Sequence, residues 1–107
     1  ELLILDEPAA GLDVGGREDL VARLALLAGD ENSPSLILVT HHVEEIPPNF
    51  SHALLLKSGQ VSAQGALSDV IASEPMSDAF GIPLDVEYGE ERWHAQGKRP
   101  SRGRRAK

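Results

Sequence analysis

Leu2-Leu3-Ile4-Leu5-Asp6-Glu7-Pro8 is a continuous apolar run that stops abruptly on two carboxylates and a proline. Leu36-Ile37-Leu38-Val39-Thr40-His41-His42 repeats the pattern, apolar until it ends in polar side chains. Runs without polar alternation are typical of strands covered on both faces of a parallel sheet, so each is expected to be buried and to emerge at its carboxyl end. Between them, from Arg17, apolar residues recur at helical spacing: Leu20, Val21, Leu24, Ala25, Leu27 and Ala28. Glu18 and Asp19 fall in the expected first turn, where they complement the helix dipole, and Gly29 is placed to end the helix. Ala9 to Gly16 reads as a loop, and Asp30 to Ser35, with Pro34, as a turn. Strand, helix, strand in this length is one βαβ crossover, so the strands are expected to be parallel and the fold class is α/β.

Downstream the pattern changes. Val43 to Ile46 has room for about one helical turn before Pro47-Pro48 stops it. His52 to Lys57 and Gln60 to Gln64 read as two short strands joined at Ser58-Gly59, a tight hairpin. Leu67 to Ala72 and Pro75 to Phe80 read as short helices, the second closed by Gly81. Ile82 to Tyr88 alternates apolar and polar residues and can pair with Arg92 to Ala95 across Gly89. Met76, Phe80 and Trp93 are isolated apolar anchors, expected to sit in satellite core.

The chain has 107 residues and a net charge of −7, with no cysteine and an aromatic fraction of 4%. That length fits one small domain. Absence of cysteine excludes a disulfide framework, a thiolate metal site and a cysteine nucleophile. The apolar runs are far shorter than the roughly 20 residues that span a bilayer. Charge is divided: Lys98, Arg99, Arg102, Arg104, Arg105 and Lys107 leave only 4 basic residues against 17 acidic ones in Glu1 to Gly97. A −13 body with few aromatics argues against a dedicated nucleic-acid surface. The +6 tail contains nothing apolar to bury and is expected to be disordered.

In open α/β sheets ligands bind beyond the carboxyl ends of the strands, which here are marked by Asp6, Glu7, His41 and His42. A carboxylate at Asp6 can hold a hydrated Mg²⁺, and one at Glu7 can polarise a water for attack on a phosphoryl group. A histidine on the neighbouring strand can donate a hydrogen bond to a terminal phosphate as charge builds there. Helix capping or solvated loop acids account for the same two carboxylates equally simply. The adjacent His41 and His42 point to opposite sides of an extended segment, which disfavours a shared metal. Glu44-Glu45 reads as a solvated helical face, and His52 and His94 as surface residues.

Taken together, Leu2 to Pro8, then Ala10-Gly11-Leu12-Asp13, then Leu36 to His41 closely resemble in order and separation the last part of an ATP-binding cassette (ABC) ATPase. The first segment looks like the Walker B strand with its glutamate, the second like the D-loop, the third like the strand carrying the switch histidine. Ala53 to Val61 and Gly65 resemble the elements that follow. The resemblance covers Glu1 to about Ser73 and implies a P-loop NTPase-type parallel sheet flanked by helices, here incomplete. It divides the chain into residues 1–73, the carboxyl-terminal part of the ATPase domain, a small extension at 74–97, and the basic tail at 98–107. It also implies that Asp6 binds Mg²⁺ through water, Glu7 is the general base, His41 contacts the γ-phosphate of ATP, and Asp13 lies at the interface with a second ATPase subunit. Thr40 would orient the histidine turn, and His42 stands where the family often has an acid. The implied cofactors are ATP and Mg²⁺. The implied setting is cytoplasmic, on the inner face of the membrane through a permease subunit.

No segment matches the phosphate-cradling G-x-x-x-x-G-K-[ST] loop, and no Leu-Ser-Gly-Gly-Gln signature precedes Glu1, which is not methionine. The expectation is therefore the carboxyl-terminal part of such an ATPase, inactive alone. Because the family's phosphate-loop strand lies between the switch-histidine strand and the next, the isolated chain is also expected to be marginal or prone to aggregate. Three functions fit: the ATPase end of a transporter, an ABC-type ATPase in DNA repair or ribosome-associated work, and a non-catalytic interaction module or remnant.

Overall fold

The computed structural model describes residues 1–98. The expected disorder of the basic tail concerns residues that, apart from Lys98, lie outside that range. Two compact units divide the chain, one built from Glu1–Ser51 with Tyr88–His94, the other from His52–Glu87 with the residues from Ala95 onward.

In the first unit, β1 (Leu2–Asp6) and β2 (Ser35–Val39) form a parallel pair in register from Leu2 opposite Ser35 to Asp6 opposite Val39. Helix α1 (Val14–Ala28) connects them, so the βαβ crossover is present as read from the sequence. It begins one turn earlier than its apolar spacing suggests. Asp13, not the acids at 18 and 19, starts it: the Asp13 carboxylate accepts a hydrogen bond from the Gly16 N–H at 2.8 Å, satisfying one of the free donors of the first turn. Gly29 ends it, its N–H returning to the Ala25 carbonyl. A single 3-10 turn, Val43–Glu45, follows β2 and stops before Pro47. Val21 and Leu24 of α1 are buried, as are Ala9, Val43, Ile46 and Trp93.

The strands are not covered on both faces, contrary to expectation. Leu2, Ile4, Ile37 and Val39 lie on one face of the pair and are 56%, 58%, 45% and 44% exposed. A parallel pair is covered on both sides only when helices lie on both sides. One crossover helix leaves this face without a covering element among the described residues.

The second unit is organised by the hairpin β3 (His52–Lys57) and β4 (Gln60–Ala66), antiparallel and joined by Ser58 and Gly59, both at positive φ as a two-residue type I′ turn requires. A bulge at Leu55/Leu56 sets Ser62 outside the ladder. Helices α2 (Leu67–Val70) and α3 (Ser73–Phe80) follow, and Gly81 closes α3 in the left-handed conformation with φ 76°. Leu67, Val70, Ile71, Met76, Ala79 and Leu84 are buried. Met76 and Trp93 are the anchors the sequence suggested, whereas Phe80, on the last position of α3, is 50% exposed. A final two-stranded sheet pairs β5 (Leu84–Gly89) with β6 (Arg92–Gly97), and its turn is Glu90-Glu91, beyond Gly89. No helix among the described residues is long and apolar enough to cross a membrane.

Candidate functional site

The parallel register places the residues after β1 beside those after β2. Asp6 lies opposite Val39, and the next backbone N–H, that of Glu7, donates to the Val39 carbonyl at 2.8 Å, adding one more rung to the pair. Glu7 then turns out of the strand in the left-handed region, with φ 51°. That conformation costs an L-residue roughly 1–3 kcal/mol and persists where its surroundings hold it. Pro8 comes next and disfavours a helical conformation at Glu7.

The turn aims the Glu7 carboxylate across the strand ends. Its Oε2 stands 2.8 Å from His41 Nε2. His41 is exposed and Glu7 is partly so. The two residues that sequence reasoning assigned to water activation and phosphate contact are therefore brought together. Asp6, exposed at the end of β1 and next to Glu7 in the chain, offers hard oxygen donors. Asp13 stands apart from them in role, with its carboxylate engaged at the start of α1. Among the described residues no three histidines or carboxylates gather to hold a metal directly. A lone exposed carboxylate fits an ion bound through its own water shell, as magnesium binds.

The turn behind His41 holds a residue that the sequence reading misplaced. Glu45 is buried, not on a solvated face, and its Oε1 accepts from the Thr40 hydroxyl at 2.5 Å. The same hydroxyl accepts from the His42 N–H at 3.1 Å, and the Glu45 N–H returns to the His42 carbonyl at 3.0 Å. Thr40 thus braces the histidine turn, and the exposed His42 takes part through its backbone. A segment of one turn has no periodicity to reveal which of Glu44 and Glu45 faces inward.

A second polar cluster was missed entirely. Arg92 at the start of β6 binds Glu18 on α1 through both forks of its guanidinium, Nη1 to Oε1 at 2.7 Å and Nη2 to Oε2 at 3.0 Å. It also donates a short hydrogen bond to the Glu44 carbonyl. The Glu18 carboxyl is held below its ordinary titration range, foremost by the Arg92 hydrogen bond; burial opposes this, and the charges of Arg92 and Arg17 add smaller lowering effects. Residues 74 positions apart in sequence give no local signal of such a pair.

No family model matches the chain. Curated relatives do. It is 45% identical over 92 residues to the uncharacterized ABC transporter ATP-binding protein YlmA of Bacillus subtilis, an alignment covering 86% of this chain and 35% of that protein. It is 31% identical over 93 residues to the energy-coupling factor transporter ATP-binding protein EcfA2 of Enterococcus faecalis, covering 85% of this chain and 32% of that one. The chain thus spans about a third of the length of these relatives. Its fold matches that of a metal-chelate type ABC transporter in an inward-facing conformation, with a TM-score of 0.69 at 21% identity, over 95% of this chain and 41% of that one. The βαβ unit and strand-end residues, together with this similarity, lead to one conclusion: over most of its length the chain is homologous to ABC transporter ATP-binding proteins.

Proposed function

We propose that this chain supplies the water-activating part of an ABC-type ATPase whose hydrolysis of ATP drives transport through a separate membrane subunit. The observation that carries the reading is the 2.8 Å contact between Glu7 and His41 at the ends of adjacent parallel strands. In this reading Glu7 Oε2 accepts the proton of the attacking water as general base. His41 Nε2–H exchanges its contact with Glu7 for the terminal phosphate and donates to it as negative charge accumulates. Asp6 is the carboxylate that would hold magnesium through water, and the ion would supply neutralisation of phosphate charge. Asp13 sits on the loop assigned to the contact with a second ATPase subunit. The working enzyme is then cytoplasmic, peripheral on the membrane through its permease, with residues 1–73 contributing to the ATPase domain and 74–97 to an extension.

A phosphate-binding loop is not among these 107 residues, so the chain by itself is proposed to be inactive. The test is Glu7→Gln in an ABC ATPase carrying this sequence as its carboxyl-terminal part. Loss of a general base lowers turnover by about 10²–10⁴-fold with nucleotide affinity retained. Turnover unchanged by the substitution would remove Glu7 from the chemistry.

A further inference from the structure

We propose that Glu45 is a positioning residue for the His41–Glu7 pair, acting through the Thr40 hydroxyl. The inference rests on the reading that Glu7 and His41 work together. Glu45 is the buried charged residue among the described ones, and burying a carboxylate is costly unless it is hydrogen-bonded. Its position is therefore dictated by what it binds. Its contact is with the one side chain that also binds the backbone next to His41.

The connections close a small ring. From Glu45 Oε1 the path runs 2.5 Å to Thr40 Oγ1, from Thr40 Oγ1 3.1 Å to the His42 N–H, and from the His42 carbonyl 3.0 Å back to the Glu45 N–H. His41 lies beside this ring, between Thr40 and His42, the two residues that the His42 N–H to Thr40 Oγ1 bond ties together. Its ring is 78% exposed, so side-chain packing does little to fix where it points. Backbone direction at residues 40–42 decides it instead. On the opposing strand the Glu7 N–H to Val39 carbonyl bond ties the other half of the pair to the residue just before Thr40. The brace and the rung thus set both partners from the end of β2. A threonine hydroxyl that donates to a carboxylate and accepts from an amide has both functions satisfied, which favours one rotamer.

Removing either end of the brace should release the His41 ring without touching it. The experiment is side-chain ¹H–¹⁵N correlation of the histidines in the 107-residue chain, with Glu7→Gln as the reference for His41 deprived of its carboxylate. In Glu45→Ala and Thr40→Val the His41 ring resonances are expected to move to the positions seen in Glu7→Gln. Those of His52 and His94 should stay, and Thr40→Ser, which keeps the hydroxyl, should retain the unsubstituted spectrum. Thr40→Val preserves side-chain shape and reads the brace if Glu45→Ala does not fold. A lowered thermal midpoint with His41 resonances unmoved would reduce Glu45 to a structural role and overturn the proposal. If Glu7→Gln alone leaves His41 unmoved, the pairing itself is refuted and the inference falls with it. Movement in Glu7→Gln without movement in the brace variants refutes the inference alone.

Discussion

His41 Nε2 and Glu7 Oε2 stand 2.8 Å apart, although 34 positions separate them in the sequence. The parallel register brings them there, because Asp6 opposite Val39 leaves Glu7 to add the last rung and then turn toward the neighbouring strand end. The left-handed backbone of Glu7 is part of that turn.

Strain at Glu7 predicts a trade between stability and chemistry. Glycine adopts φ 51° freely, so Glu7→Gly removes a conformational cost of roughly 1–3 kcal/mol, offset by about 0.5–1 kcal/mol of added chain entropy in the unfolded state. The lost contact is with the exposed His41 ring and offsets little. Differential scanning calorimetry of the chain should give a midpoint equal to or above that of the unsubstituted protein, while the ATPase carrying the substitution loses turnover. A clear drop in midpoint would show that the Glu7 backbone is not strained.

Asp13 has a structural job that must be separated from its proposed place at a subunit interface. As the residue whose side chain accepts from Gly16 N–H, it should cost about 1 kcal/mol when replaced by alanine, within a range of roughly 0.5–2 kcal/mol. Asparagine caps about as well as aspartate, so Asp13→Asn should unfold within a few tenths of a kcal/mol of the parent. Denaturant titration of both variants decides the capping role. Reduced turnover of Asp13→Asn in the ATPase, at unchanged stability, then reports the charge at the interface.

The Glu18–Arg92 contact makes an acid-side prediction. Glu18 titrates lower in the folded chain than its ordinary value of 4.5, chiefly because Arg92 hydrogen-bonds the ionised form. A group with a depressed folded pKa contributes stability that is present above its unfolded pKa and is lost as pH falls through the folded one. Glu18→Gln should therefore lower the unfolding midpoint near pH 7 modestly, since the carboxylate is 45% exposed. The difference from the parent should shrink as pH falls below 4.5. A gap that stays constant between pH 7 and acid would mean that the pair's ionisation contributes nothing.

Much of the fold is legible from residue order because each element carries its own signal. Apolar runs mark β1 and β2, spacing marks α1, and Ser58-Gly59 marks the β3–β4 turn. The start of α1 was displaced because Asp13 caps a first turn, Val14-Gly15-Gly16, that lacks the apolar repeat. The β5–β6 turn was misassigned to Gly89 because Glu90 and Glu91, both at positive φ, are not residues that turn chemistry selects. At the strand ends, Glu7 and His41 were legible as polar residues that close two adjacent apolar runs. Glu45 and Arg92 were not, because long-range hydrogen bonding and the inward side of a single turn leave no periodic trace.

The exposed face of the β1–β2 pair predicts that the isolated chain associates with itself. Leu2, Ile4, Ile37 and Val39 present adjacent apolar side chains on a two-stranded sheet, with the charge of Asp6 on that face only at its carboxyl end, opposite Val39. Burying an isoleucine contributes about 1.5–3 kcal/mol, and 1.4 kcal/mol corresponds to about tenfold in affinity. Ile4→Thr with Ile37→Thr retains β-branched side chains while reducing that apolar area, so self-association should weaken by about tenfold or more. Sedimentation velocity over a concentration series measures it. If the unsubstituted chain sediments as a monomer at every concentration, the face is not adhesive, and the expected tendency to aggregate is wrong.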